Sequence, residues 1–142
     1  GLPVRLVVNR GWPAGMAGSL SAGIGALPRS AGGALVLLAD QYALQLPDLR
    51  RLARAWQCDP ARPVASEWAG AQGPPAILPR RLFPLLRTLG GDQGARAALR
   101  HPAARTRLLP MPAAAFDLDE PSGLRRGAGS RALSASRASR HP

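Results

Sequence analysis

The sequence predicts a three-layer α/β fold, in which helices cover both faces of a mixed, mostly parallel sheet. Strand-like and helix-like segments alternate along the chain, and residues 34–39 form an unbroken apolar run that ends at Asp40. Such a run is typical of a strand buried on both faces. Parallel sheets bind ligands at the carboxyl ends of their strands, which makes Asp40 a candidate cation ligand. A capping role in the following turn explains Asp40 equally well.

Each element follows from its local pattern. Residues 3–8 are rich in β-branched side chains and predict a strand that ends at Asn9. An apolar stripe over residues 15–27 predicts a helix, and Pro47 at a first helical position begins another after the apolar run. The remaining predicted elements are strands at 63–67, 76–78 and 107–109 and helices at 81–89 and 94–100.

The charge distribution argues against a nucleic-acid partner. The chain has 142 residues and a net charge of +11, and all 19 of its basic residues are arginine. Residues 125–142 carry five arginines without an acid, whereas the arginines before them are scattered among all the acids of the chain. We expect one domain over residues 1–124, followed by a basic tail at 125–142 that is disordered because it has no periodic apolar residues.

Composition also excludes several classes of protein. The single cysteine, Cys58, rules out an internal disulfide and a cysteine-rich zinc site. No window approaches the ~20 apolar residues of a membrane span, and the first residues do not resemble a signal peptide. We therefore expect a cytoplasmic protein with no membrane partner. Neither His101 nor His141 has a catalytic companion nearby, so a covalent mechanism has no support.

Four segments combine residues that are suited to chemistry. The small residues of 15–20 would let an anion approach a helix start, although packing explains them as well. Residues 73–75 form either a rigid wall against a planar substrate or a plain loop. Arg96 could pair with a carboxylate or hold a phosphate with two hydrogen bonds. In an extended segment, Asp117 and Asp119 would point to one side and could share a divalent ion, although Asp-x-Asp is also common in loops.

Taken in order, these segments resemble the MobA-like nucleotidyltransferases. Within that family the sequence is most similar to the molybdenum-cofactor cytidylyltransferases, which transfer a nucleotide from CTP to molybdopterin. The similarity runs to about residue 124. The matching residues are Asn9, Gly15-Met16-Ala17-Gly18-Ser19-Leu20-Ser21-Ala22-Gly23, Leu37-Leu38-Ala39-Asp40-Gln41, Gly73-Pro74-Pro75-Ala76 with Pro79-Arg80, Gly91-Asp92-Gln93-Gly94-Ala95-Arg96 and Phe116-Asp117-Leu118-Asp119-Glu120-Pro121.

The resemblance implies a Rossmann-like sheet and a Mg²⁺ ion that bridges a nucleoside triphosphate and acidic residues. A terminal phosphate of the pterin would attack the α-phosphorus and release pyrophosphate, with catalysis mainly by positioning and charge neutralisation. Residues 16–21 would lie near the nucleotide and residues 73–76 near the acceptor. The residues assigned in this way are Asp40 and Arg96 for catalysis, Met16, Ala17, Gly18, Ser19, Gly73, Pro74 and Pro75 for ligand binding, and Asp40, Asp117 and Asp119 for the metal.

The sequence departs from the family pattern at its start. The family opens with a strand and a glycine-rich Leu-Ala-Ala-Gly loop that holds the triphosphate, and no such loop occurs here. We therefore expect an N-terminally incomplete member of the family. One alternative is an inactive remnant that binds a nucleotide or a partner without turnover, and another is a related enzyme with a sugar-phosphate acceptor. The resemblance favours CTP over GTP as the donor.

Overall fold

A computed structural model describes residues 4–116 of the chain. Four strands and four α-helices occur in this part, together with four short 3-10 helices; β2 is followed directly by β3 and α3 by α4, and the other strands and helices alternate. The strands are β1 (Gly33–Val36), β2 (Val64–Trp68), β3 (Ala71–Pro79) and β4 (Arg107–Pro110), and the helices are α1 (Met16–Gly25), α2 (Leu46–Gln57), α3 (Phe83–Thr88) and α4 (Ala95–Arg100). The 3-10 helices are Trp12–Ala14, Arg80–Leu82, Pro102–Ala104 and Pro112–Ala115.

The four strands form one mixed sheet in the order β1-β3-β2-β4. Strand β3 is antiparallel to both of its neighbours, β1 and β2, whereas β2 and β4 are parallel. Strands β1, β2 and β4 therefore run in the same direction and β3 runs against them. The C-terminal end of β1 consequently lies beside the middle of β3, where Val36 pairs with Ala76.

Helices pack on both faces of this sheet. Successive residues of β3 point to opposite faces, so Leu78 joins a core with α1, α3 and α4, while Ile77 joins a second core with α2. Leu86 and Leu52, which occupy these two cores, are both fully buried. The prediction of a three-layer α/β fold with a mixed sheet is confirmed. The sheet was also expected to be mostly parallel, whereas two of the three strand pairings among residues 4–116 are antiparallel, because β3 runs against its neighbours.

Two predictions about strands are wrong. Residues 4–8 form no strand, and Val4, Leu6 and Val8 are 71%, 88% and 81% exposed. Their β-branched composition is not sufficient, because strand preference depends on pairing and packing partners. The apolar run at 34–39 is a strand only as far as Val36, and Leu35 is 44% exposed. It lies at the edge of the sheet, and β3 is the strand buried along most of its length.

Other boundaries shift by a few residues. The predicted loop at 73–75 belongs to β3, which begins at Ala71. Pro47 occupies the second position of α2, and the helix expected at 81–89 is divided into a 3-10 turn and α3. The domain boundary at 124, the basic tail and both Asp117 and Asp119 lie outside the described residues. Among residues 4–116, no helix is long and apolar enough to cross a membrane.

Candidate functional site

Two glycine-rich segments that are distant in sequence meet at the start of α1. The backbone N–H of Ala17 donates to the carbonyl oxygen of Gly91 at 3.0 Å. Gly15 has φ = 114°, and a Cβ atom there would lie 2.3 Å from the carbonyl carbon of Gly91. A Cβ atom on Gly94 would lie 2.7 Å from Sδ of Met16. Glycine at positions 15 and 94 therefore permits the contact between the helix start and the 90–94 loop.

Asn9 holds the other side of the same helix start. Its Nδ2 donates to Oγ of Ser19 at 3.0 Å, and its Oδ1 accepts from the backbone N–H of Gly11 at 3.0 Å. A Cβ on Gly18 would lie 3.2 Å from Nδ2 of Asn9, so the small residue allows this approach. Asn9 therefore forms an Asx turn with Gly11 and binds Ser19 at the start of α1. The sequence predicted that Asn9 ends a strand, and it does not.

A groove of about 440 Å³ lies between α1 and β1. Met16 and Ser19 line it from the helix, Leu35 and Leu37 line it from the edge strand and the residue after it, and Pro74 lines it from β3. The groove thus brings together two segments to which the sequence assigned ligand binding. Two other assigned residues, Ala17 and Pro75, have buried side chains.

Asp40 lies in the turn that follows β1 and is half-buried. Its Oδ1 atom is buried, and within residues 4–116 it has no hydrogen-bond partner. A buried carboxylate oxygen without a partner is unfavourable unless a cation or water satisfies it. No group of three or more His, Cys, Asp or Glu residues in the described part could hold a metal ion, so Asp40 is not part of a ready cluster of ligands there.

Gln41 joins the Asp40 turn to two other parts of the chain. Its side chain is 8% exposed, and Nε2 donates to the carbonyl oxygens of Pro74 at 2.8 Å and of Ala114 at 3.1 Å. The backbone N–H of Leu38 donates to Oε1 of Gln41 at 3.4 Å. Gln41 therefore fixes the turn against the start of β3 and against the segment that precedes Asp117 in the sequence.

The start of β3 is held by a second buried side chain. Ser66 in β2 is fully buried, and its Oγ donates to the carbonyl oxygen of Gly73 at 2.8 Å. Consecutive carbonyls, those of Gly73 and Pro74, are thus each bound by a side chain from a different element. These two hydrogen bonds fix the 73–75 segment at the end of the sheet where Asp40 lies.

Arg96 lies against the same segment. A Cβ on Gly73 would be 2.8 Å from Nε of Arg96, and the guanidinium carbon lies 5.6 Å from the ring centroid of Trp68. This distance is within the range of a cation–π interaction. Arg96 is exposed and makes no hydrogen bond or ion pair within residues 4–116, so its donors remain available to an anion.

The structure therefore places the turn of Asp40, the start of α1 and Arg96 around the 73–75 segment. The sequence predicted no contact for the side chains that support this site, although Gln41 stands among the residues that match the family. Gln41 and Ser66 act on carbonyls far along the chain, and Trp68 is one of three dispersed tryptophans. Asn9 matched the family pattern, and the glycine two residues after it is compatible with the observed turn.

Comparison with solved structures supports the same fold. Rv0371c from Mycobacterium tuberculosis H37Rv superposes with a TM-score of 0.65 at 24% identity, over 78% of this chain and 57% of that chain. The complex of Rv0371C with manganese, also from Mycobacterium tuberculosis H37Rv, superposes with a TM-score of 0.63 at 24% identity, over 76% of this chain and 58% of that chain. The Rv0371c homologue from Mycobacterium sp. strain JC1 gives 0.63 at 23% identity, over 76% and 54%. The chain thus spans little more than half the length of these proteins.

No curated protein matches the sequence significantly. The sequence profile of the MobA-like NTP transferase domain, however, matches residues 1–107, which is most of the chain. The matched range includes helix α1 and strands β1 to β3. The chain therefore belongs to the MobA-like NTP transferase family.

Proposed function

We propose that this protein is a Mg²⁺-dependent nucleotidyltransferase that moves CMP from CTP onto a molybdopterin-type acceptor and releases pyrophosphate. Membership of the family indicates a nucleotidyltransferase with a nucleoside triphosphate as its donor. The observation that carries the proposal is the buried Oδ1 of Asp40, which has no partner among the described residues. The expected cytoplasmic location belongs to the same proposal.

A divalent cation fits Asp40 because a carboxylate oxygen is a preferred ligand of hard cations and this one has no hydrogen-bond partner within residues 4–116. A related structure was crystallised with manganese, which supports the use of a divalent ion. Asp117 and Asp119 are the proposed additional ligands, and the chain that leads to them contacts Gln41 through Ala114. When bound, the ion would neutralise charge on the triphosphate.

The chain's own residues would hold the donor. Helix α1 begins with no acidic residue in its first turn and no side-chain cap, so its N-terminus favours a phosphate oxygen. We assign this role to Met16, Gly18 and Ser19, whereas Ala17, whose N–H already donates to the carbonyl oxygen of Gly91, holds the helix start in place. Arg96, which rests on Trp68, would bind the charge that develops on the pyrophosphate as it leaves.

The acceptor would lie along residues 73–75. Ser66 and Gln41 hold the carbonyls of Gly73 and Pro74, which makes this backbone a rigid wall for a planar pterin. The wall would direct a terminal phosphate of the acceptor at the α-phosphorus from the side opposite to the leaving pyrophosphate. Such positioning contributes much of the rate in phosphoryl transfer.

The test measures pyrophosphate release by the wild-type protein and by Asp40→Asn, with CTP, Mg²⁺ and molybdopterin. We expect release by the wild type and loss of at least a hundredfold in the variant, an order of magnitude typical for removal of a key electrostatic group. Asp59→Asn is the charge-matched control, because Asp59 is exposed and lies before the start of β2, at the opposite end of the sheet. Full activity of Asp40→Asn would contradict the role of Asp40.

Substitution of the substrates tests the finer assignments. A higher rate with GTP than with CTP would contradict the choice of donor, and transfer to a sugar phosphate would contradict the choice of acceptor. Saturable binding of CTP by the wild type without release of pyrophosphate would support the alternative, in which the chain binds a nucleotide or a partner without turnover.

A further inference from the structure

A second, basic pocket of about 610 Å³ lies at the end of the sheet opposite the candidate site. Strands β2 and β4 begin at this end of the sheet and β3 ends there. Asp40 follows the C-terminal end of β1, which lies at the opposite end. The pocket is lined by Asp59, Ala61, Arg62, Arg81, Ala104, Arg105 and Thr106. None of these residues belongs to the segments assigned to the nucleotide or the acceptor.

Two of the guanidinium groups are held in place by backbone carbonyls. Arg81 donates from Nε to the oxygen of Ala61 at 2.6 Å and from Nη2 to the oxygen of Ala104 at 3.0 Å. Arg62 donates from Nε to the carbonyl oxygen of Arg105. Because these bonds use only part of each guanidinium, the remaining N–H groups can bind an anion without a further loss of side-chain freedom.

Arg105 provides the third positive charge. Its φ of 52° and ψ of 45° place it in the left-handed region, which glycine adopts more readily than arginine. Within residues 4–116 its side chain makes no hydrogen bond or ion pair. Arg105, which has no side-chain partner in the described part of the chain, thus occupies a backbone conformation that disfavours arginine, beside two guanidinium groups that are already oriented.

The balance of charge indicates the type of ligand. Three guanidinium groups against the single carboxylate of Asp59 leave two positive charges in the pocket. A phosphate group carries about −1.5 to −2 at neutral pH and presents three acceptor oxygens. We propose that this pocket binds a phosphate dianion, either inorganic phosphate or a phosphomonoester, at a site separate from the candidate active site.

Titration of the full chain with inorganic phosphate and with glycerol phosphate, at constant ionic strength, tests this proposal. Calorimetry gives the affinity, and NMR identifies the amides that shift. Arg105→Gly removes one guanidinium and suits the left-handed backbone, so the variant should fold at least as well as the wild type. We expect its affinity for phosphate to fall about ten- to a hundredfold, as for loss of a charged hydrogen bond.

Arg50→Gln is the matched control, because Arg50 is exposed on α2 and does not line the pocket. We expect an affinity within roughly twofold of the wild type for this variant. Changes in the amide chemical shifts of Ala104 and Thr106 on addition of phosphate would support the proposal. Comparison of the affinities for inorganic phosphate and for glycerol phosphate would show which type of ligand the pocket prefers. Three outcomes would overturn the proposal. They are equal losses of phosphate affinity in both variants, amide shifts confined to Ala17 and Arg96, and binding that does not saturate at millimolar phosphate.

Discussion

The side-chain amide of Gln41 donates a hydrogen bond to the carbonyl oxygen of Pro74, 2.8 Å away and 33 residues along the chain. This bond joins the turn that carries Asp40 to the strand segment proposed to face the acceptor. The same amide also binds the carbonyl oxygen of Ala114, so one buried side chain connects three parts of the site.

Replacing Gln41 should destabilise the protein. Gln41→Met preserves the approximate shape but leaves the carbonyls of Pro74 and Ala114 without this donor, and we expect a loss of about 2 kcal/mol or more in the free energy of unfolding. Urea denaturation followed by circular dichroism would measure it. Gln57→Met, at the exposed end of α2, is the control and should change stability by less than about 0.5 kcal/mol. Equal effects would contradict the role of Gln41.

Asp40 should couple stability to divalent cations. We expect Mg²⁺ or Mn²⁺ to raise the melting temperature of the wild type, because a ligand that binds only the folded state stabilises it. Asp40→Asn should abolish that rise and should be at least as stable as the wild type without metal, since it removes a buried charge. Thermal unfolding with and without the ion gives both values. A rise that persists in Asp40→Asn but disappears in Asp59→Asn would place the cation elsewhere.

Gly15 and Gly23 should respond in opposite directions to alanine. A Cβ on Gly15 would overlap the backbone of Gly91, and φ = 114° is strained for alanine, so we expect Gly15→Ala to cost about 2 kcal/mol or more. A Cβ on Gly23, inside α1, would contact no atom within 4 Å, and we expect Gly23→Ala to stabilise by about 0.5–1 kcal/mol. Denaturant unfolding of both variants tests this pair, and destabilisation by Gly23→Ala would contradict the open space beside it.

Arg96 and Trp68 should act together in nucleotide binding. We expect Arg96→Gln to weaken CTP affinity about tenfold or more, because it removes a charged donor. Trp68→Leu removes the ring that supports the guanidinium together with some packing against the core of Leu52 and Ile77, and we expect it to weaken the free energy of CTP binding by about 0.5–1 kcal/mol. Calorimetric titration with CTP measures both variants. Arg100→Gln, one turn further along α4, should have little effect, and a loss equal to that of Arg96→Gln would indicate general charge attraction.

The sequence was a good guide where the pattern is local. Helix α2 has an apolar face that repeats with the helical period, and its observed bounds of Leu46–Gln57 begin within one residue of the predicted start. The order of the motifs identified the family. The strand at residues 3–8 was predicted wrongly, because β-branched composition reports a preference for pairing and contains no information about the partner.

The sequence by itself determined the family, the alternation of helices and strands, and the position of Asp40 after an apolar run. Only the tertiary structure decided that β1 is an edge strand, that Gly15 contacts Gly91, and that Gln41 reaches a carbonyl 73 residues away. The physical reason is that periodicity records which face of an element is apolar, and this face can be covered by any complementary element. Contacts between distant segments depend on how the layers pack, and no local pattern specifies that packing.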